Sequence, residues 1–279
     1  MPKSLFGYDV VSKIGQGAAS SIYAVTDASG QIYALKHVKK VTEKDERHIE
    51  QLQNEFEMSR QFRHPCLRRC VDFKTPRRLF GKPNEAALVM EMIDGRPLED
   101  RAPSSLGQIY SIFSQVAAAL ASLHHLRLVH CDMKPHNIMR CEGEKIKIID
   151  FGQTCKIGTA KPRVQGTPDY ISPEQVKCLP VDARTDIYNY GATLYWAITG
   201  RRVPTYFTVG KSDRNVVKKQ EFPSPVQLNA GIPEELSKLV MYCVRYHPED
   251  RPKDILSVLK ALEACHHAAA AAPPPASMM

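Results

Sequence analysis

The rhythm of apolar and polar positions changes near residue 94. Ahead of that point the apolar runs are short. Tyr8–Ile14, Ser21–Asp27 and Ile32–Lys39 read as β-strands, with Ala28-Ser29-Gly30 as the turn joining the last two. Glu43 to Phe62 is charged, carries apolar residues at helical spacing and holds no Gly or Pro, so it predicts a helix. His64-Pro65 ends it, because the residue before a proline is pushed out of the helical region. Cys70–Phe73 and Ala87–Met92 add two more strands, so the first third predicts a five-stranded sheet with one helix.

Beyond Asp94-Gly95 the period lengthens. Leu106, Ile109, Phe113, Val116, Leu120 and Leu123 form the stripe of an amphipathic helix. Ile187–Thr199 is apolar nearly all round, which predicts a helix in the middle of a domain, stopped by Gly200. Helices are also expected over Glu234–Tyr246 and Lys253–Cys265. From Ala268 onward the chain is Ala- then Pro-rich and predicts a disordered tail, with the Ala stretch able to prolong the last helix as far as Pro273.

Chemistry concentrates in three places. Gly15-Gln16-Gly17-Ala18-Ala19-Ser20 lies between two strands and has little side-chain bulk, so backbone N–H groups there can approach phosphate oxygens. A plain hairpin turn explains those glycines equally well. Lys36 interrupts an apolar strand, and a lysine facing a buried cleft needs an anion. Nucleotide phosphates or a helix carboxylate can serve. Glu55 is the favoured carboxylate over Glu57, which falls on another face of the helix. The third cluster is His130-Cys131-Asp132-Met133-Lys134-Pro135-His136-Asn137, followed after a short hairpin (Ile138–Cys141 and Ile146–Ile149) by Asp150-Phe151-Gly152. Asp132 can accept a proton from a hydroxyl, Asn137 and Asp150 can hold Mg²⁺, and Lys134 can neutralise a phosphoryl group.

In that order and spacing these residues resemble the eukaryotic-type protein kinase family along roughly residues 8–265. The resemblance implies an α+β, bilobal protein-kinase-like fold: a five-stranded antiparallel lobe with one helix over residues 1–93, a mainly helical lobe over 94–266 and a tail over 267–279. It further implies a Ser/Thr protein kinase that moves the γ-phosphoryl group of Mg-ATP to a protein hydroxyl. Asp132, Lys134, Asn137, Asp150 and Lys36 would be the catalytic set. ATP would lie against Ile14, Gly15, Gly17, Ile22, Ala34, Lys36, Glu55, Met90, Glu91, Met92, Ile93, Asn137 and Asp150, with Asn137 and Asp150 on the metal. Met90 resembles the residue at the back of the adenine pocket and Glu91–Ile93 the connecting hinge. Gly166 to Glu174 looks like the substrate-binding loop, Asp186 like the aspartate that supports the catalytic loop, and Arg251 like the partner of Glu174. Lys134 and Thr167 are similar to the Ser/Thr branch, and 172–175 with 181–188 to bacterial members.

Three positions depart from the pattern. Ser20 stands at the third glycine and is expected to reduce loop mobility. Ser172 replaces an alanine. Cys131 replaces the arginine that grips an activation-loop phosphate in relatives, so activity is expected without phosphorylation of Thr154, Thr159 or Thr167. Cys131 is expected to be buried and unreactive, since a neighbouring carboxylate raises a thiol pKa; a redox-sensitive thiol is the alternative. The competing functional readings are a pseudokinase scaffold and a small-molecule phosphotransferase.

Composition adds limits. Eight scattered cysteines form no CxxC set, which argues against zinc. No signal-like segment and no uninterrupted apolar run of about 18 residues is present. A cytoplasmic protein with reduced thiols and no membrane span is therefore expected. The net charge of +8 is expected to be mostly solvated surface. Arg68, Arg69, Arg77, Arg78 and Lys82 cluster in sequence and could dock an acidic partner, but no stacking aromatics accompany them, so no nucleic-acid partner is expected.

Overall fold

The computed structural model describes residues 2–17, 19–42, 45–76, 83–208 and 221–271. The N-terminal part is an antiparallel sheet built from β1 (Ser4–Leu5), β2 (Tyr8–Gln16), β3 (Ser20–Thr26), β4 (Ile32–Lys39), β5 (Cys70–Lys74) and β6 (Glu85–Glu91), in the order β1-β2-β3-β4-β6-β5. It has six strands where the hydropathy pattern predicts five. The added strand pairs Ser4 with Asp9 and Leu5 with Tyr8. Phe6 (φ 52°) and Gly7 (φ 86°) make the reversal possible, since a two-residue turn with both φ values positive matches the twist of the strands it joins. A phenylalanine in that region is unusual, which is why the sequence does not announce the turn.

One helix, α1 (Glu46–Ser59), packs on this sheet. It is shorter than the Glu43–Phe62 span expected, and Glu43 and Lys44 lie outside the described residues. The Asp45 carboxylate accepts from the Val41 and Thr42 N–H groups at 3.1 and 2.8 Å, holding the preceding chain in a turn instead of a helix.

The remainder is mostly helical. A small sheet of β7 (Gly95–Pro97), β9 (Ile138–Cys141) and β10 (Ile146–Ile148) lies beneath the cleft, and β8 (Leu128–Val129) pairs with β11 (Cys155–Lys156). Helices α2 (Leu106–His125) and α4 (Ala183–Thr199) lie on either side of the one-turn α3 (Pro173–Val176) in sequence. They are followed by α5 (Pro225–Leu228), α6 (Glu234–Cys243) and α7 (Ile255–Ala271).

Helix α2 starts where Ser105 caps the Gln108 N–H. Its stripe of Ile109, Phe113, Val116, Leu120 and Leu123 is buried in the main core, and each such side chain contributes about 1.5–3 kcal/mol. Its length and mean hydropathy of 1.3 would suit a membrane span, but half of that 18-residue window is buried within the fold.

Helix α4 is the central helix expected, closed by Gly200 at φ 68°. Gly191 in its middle faces α6. A Cβ there would sit 2.5 Å from the Cys243 Cβ, so the two helices meet at a distance only glycine allows. Gly191→Ala is expected to cost about 1–3 kcal/mol by overpacking, read as a lowered denaturation midpoint.

Helix α7 continues to Ala271, five residues into the segment read as tail. Alanine's high helix propensity and the stacking of His266 on Tyr110 at 4.7 Å account for this. Residues 272–279 lie outside the described residues.

Candidate active site

The cleft between sheet and helices receives its first charged group from β4. Lys36 pairs across to Ile22 on β3 and Leu88 on β6, which fixes its direction. Its Nζ reaches Glu55 Oε2 at 2.8 Å and Asp150 Oδ1 at 3.3 Å. Glu55 is fully buried on α1, whereas Glu57 points outward to Gln53. The choice between the two carboxylates is therefore settled by the helix face. The other Glu55 oxygen accepts the Phe151 N–H at 3.3 Å and lies 3.6 Å from Arg68.

Arg68 thus departs from the expectation that it belongs to a surface cluster. It is buried, and its guanidinium helps hold α1 against Asp150. Arg69 is exposed, and Arg77, Arg78 and Lys82 lie outside the described residues.

These charges set one another. Burial disfavours the Lys36 ammonium, yet the carboxylates of Asp150 and Glu55 outweigh it and raise its pKa. Lys36 in turn holds Asp150 well below the usual carboxylate range, against burial and with help from Lys134 and Arg68. Both groups are ionised at neutral pH.

The catalytic-loop candidate descends from β8. Its backbone takes an uncommon path, with Cys131 at φ 65°. Asp186, buried at the start of α4, receives the N–H groups of His130 and Cys131 at 2.9 and 2.8 Å and so holds that conformation. The His124 ring completes the carboxylate's partners at 2.8 Å. His130 packs edge-on against Phe151, which also meets Phe62. Burial lowers the His130 pKa, keeping the ring neutral.

From this platform Asp132 faces the segment that runs from Gly152 to Pro168. Its Oδ1 accepts the Thr167 N–H at 3.0 Å and hydroxyl at 2.9 Å. Its Oδ2 accepts from Lys134 at 2.9 Å, and Lys134 also donates to Thr167 Oγ1 at 2.6 Å. The Asn137 amide nitrogen donates to the Asp132 carbonyl at 2.8 Å, which leaves its oxygen facing away from Asp132. Asp150, at φ 67°, uses Oδ1 for Lys36 and the Gly152 N–H. Asn137 Oδ1 and Asp150 Oδ2 are thus hard oxygen donors left for a cation. Magnesium is bound by one or two such groups together with water and phosphate, so the donor set fits it.

The residues expected on the nucleotide side lie along the sheet. Gly15 pairs with Ile22 within β2 and β3, so it belongs to the strand and not to the connection that follows Gln16; Ala18 lies outside the described residues. The Gly17 N–H donates to the Ser20 carbonyl at 2.7 Å, and a Cβ on Gly17 would stand 2.8 Å from Ser20 Oγ. Ser20, at the departing third position, closes the turn on itself. Ala34 lies opposite Met90, which is fully buried; Ile14 and Met92 are exposed apolar groups. The Glu91 carboxylate pairs with Lys147 at 2.7 Å, leaving the main chain of Met92 and Ile93 as the polar edge of this strip.

Behind the loop the expected pair between Arg251 and Glu174 is present and bidentate at 2.8 and 2.9 Å. Thr205, Gln175 and Cys155 went unassigned in the sequence. Gln175 carries the most weight, since its amide donates to the Cys131 carbonyl at 2.7 Å and ties α3 to the catalytic loop.

The chain matches the model of the protein kinase domain over residues 8–269. It is 28% identical to the serine/threonine-protein kinase pkn3 of Myxococcus xanthus, over 93% of this chain and 50% of that protein. It is 30% identical to a probable serine/threonine-protein kinase of Corynebacterium efficiens, over 92% of this chain and 41% of the relative. Similarity extends to eukaryotes: serine/threonine-protein kinase 36 of Mus musculus is 32% identical over 72% of this chain and 15% of that protein. The chain therefore spans half or less of these relatives' lengths.

Proposed function

The chain belongs to the protein kinase family, and from that premise we propose that it transfers the γ-phosphoryl group of ATP to serine or threonine hydroxyls of a protein, without needing a phosphorylated activation segment. The observation that carries this is the convergence of Lys36–Glu55–Asp150 and Lys134–Asp132–Thr167 on one cleft.

Lys36 is the phosphate-binding cation, held in place by Glu55. Asp132 orients the acceptor hydroxyl and receives its proton as the new P–O bond forms. Lys134, between Asp132 and Thr167, places positive charge beside the transferring group. Asp150 and Asn137 would hold Mg²⁺, which neutralises phosphate charge when bound. Adenine would stack beneath Ile14 and Ala34 and be read by the main chain of Met92 and Ile93. Phosphoryl transfer asks mainly for positioning and charge neutralisation, and these groups supply both. The pseudokinase reading loses ground because Lys36, Glu55, Asp132, Asn137 and Asp150 are all present, with Lys36 paired to Glu55 and Asp150 and with Asn137 bonded to Asp132. Thr167 and the Gln175 tie present a peptide platform, which favours a protein over a sugar or antibiotic as acceptor.

Independence from phosphorylation follows from how the segment is anchored. Thr167 bonds to Asp132 and Lys134, and β11 pairs with β8. Lys161 binds the Gln153 carbonyl at 2.5 Å, and Asn54 of α1 reaches the Thr154 carbonyl at 3.1 Å. Each tie is made by protein groups. Complete dephosphorylation by a phosphatase is expected to leave the initial rate unchanged; abolished transfer would sink this part. A panel of peptide arrays and small hydroxylated acceptors tests the substrate class. Label confined to peptides is expected, and label on sugars alone would transfer the assignment to the small-molecule enzymes. Localisation in the cytoplasm remains part of the same proposal, supported by eight cysteines that are all free thiols.

A further inference from the structure

Cys131 lies buried in the catalytic loop, against the segment that runs from Gly152 to Pro168. In this chain its Sγ lies 3.7 Å from Cys155 Sγ, and Cys155 belongs to that same segment. Among the described residues it is the one cysteine pair with its sulfurs in hydrogen-bond contact. The two backbones are already aligned there, since β8 and β11 pair Val129 with Cys155, two residues from Cys131. A disulfide requires about 2.05 Å between sulfurs, so closure asks for a small approach. Cys131 is pinned on both sides, by Asp186 at its N–H and Gln175 at its carbonyl. Cys155 sits on the two-residue strand β11, paired to β8, so the approach falls to the side-chain torsions of the two cysteines.

We propose that Cys131 and Cys155 form a reversible intramolecular disulfide under peroxide, a covalent clamp between catalytic loop and activation segment.

The roles of the two sulfurs differ. Cys131 is fully enclosed, and its hydrogen bond to Cys155, with burial and Asp186 adding, pushes its pKa well up. The burial is as expected, whereas the neighbouring Cys155 sulfur favours the redox-sensitive alternative. Cys155 lines an open cleft of about 350 Å³ between α1 and the segment, beside Lys161. The contact with Cys131 draws its thiol below the usual range; burial opposes this, and Lys161 and Thr159 assist. Cys155 is therefore the sulfur a peroxide can reach, and Cys131 the one enclosed behind it.

The Cys155 thiolate attacks one oxygen of hydrogen peroxide and the O–O bond breaks. Hydroxide leaves and becomes water on taking a solvent proton, and Cys155 becomes a sulfenic acid. The Cys131 sulfur then attacks that sulfur. The S–O bond breaks, and the departing hydroxide takes the Cys131 proton as a second water. Two thiols lose two electrons, and one peroxide is reduced to two waters. The inference rests on sulfur geometry and stands apart from the catalytic reading.

The test treats the native, reduced chain with millimolar hydrogen peroxide, blocks remaining thiols with an alkylating agent, and maps peptides without reduction. The expected dominant product joins the Cys131 and Cys155 peptides. It should vanish on adding dithiothreitol and in both Cys155→Ser and Cys131→Ser. Oxidised wild-type protein is expected to melt several degrees higher than reduced protein, with no such gain in Cys155→Ser. Sulfinic acid at Cys155 without the linked pair, or linkage only after unfolding in denaturant, would overturn the site. A linked pair with an unchanged or lower Tm would overturn the clamp.

Discussion

Asp132→Asn is expected to lower phosphoryl transfer by roughly 10²- to 10⁴-fold while leaving ATP binding nearly intact. The asymmetry comes from where the carboxylate sits. Asp132 bonds to Thr167, Lys134 and the amide nitrogen of Asn137, whereas Lys36 and Asp150, proposed to hold the phosphates and, with the Asn137 oxygen, the metal, pair with each other. Its loss should therefore fall on kcat. Asparagine keeps an oxygen for the Thr167 N–H and hydroxyl. Its amide nitrogen, however, carries no charge for Lys134 and cannot receive the acceptor's proton. Thermal melting of the variant should stay close to wild type, which separates a chemical defect from a folding one. Rate and nucleotide affinity falling together would instead place Asp132 in nucleotide binding.

Arg251→Met should be the most destabilising single change outside the hydrophobic core. The Arg251 side chain is fully enclosed and every nitrogen is used. It grips both Glu174 oxygens and also donates to the carbonyls of Arg184, Arg245 and Tyr246 at 2.8, 2.7 and 3.0 Å. It lies over the Tyr188 ring as well. Removing it strands a buried carboxylate, at a cost of about 3–5 kcal/mol. The Glu174 pKa is held low by Arg251 in spite of burial, so the charge persists near neutral pH. Chemical denaturation should show the loss directly. Combining Arg251→Met with Glu174→Gln should recover part of it, because the stranded charge is gone. A loss below about 1 kcal/mol would mean that water reaches this pair. Gln175, which donates to the Cys131 carbonyl, is the residue after Glu174, so weakened packing here is also expected to slow transfer.

Much of the site is legible in the sequence because its residues break local rules. Lys36 is a charge inside an apolar strand, Asp150 a carboxylate at the end of another, and Gly200 the stop to an all-apolar helix. Each exception needs a reason, and each reason lies in the cleft or at a helix end. The missed features obey local rules or depend on distant partners. Arg68 looks like one of several surface arginines, and only the fold turns it inward to Glu55. Cys131 and Cys155 are 24 residues apart and meet through two-residue strands too short to leave a hydropathy pattern. The close approach at Gly191 depends on α6, far along the chain, so the glycine alone carries no signal. Helix α1 begins late because the Asp45 carboxylate captures the turn before it, a competition that periodicity does not weigh.

The central claim is transfer of the γ-phosphoryl group to serine or threonine on protein. It is tested most directly by incubating the purified chain with γ-labelled ATP, magnesium and a Ser/Thr-rich protein acceptor, then hydrolysing the product and separating its phosphoamino acids. Label is expected on phosphoserine or phosphothreonine, dependent on magnesium and lost in Asp132→Asn. Saturable ATP binding with no label on any protein, or label on phosphotyrosine alone, would contradict it.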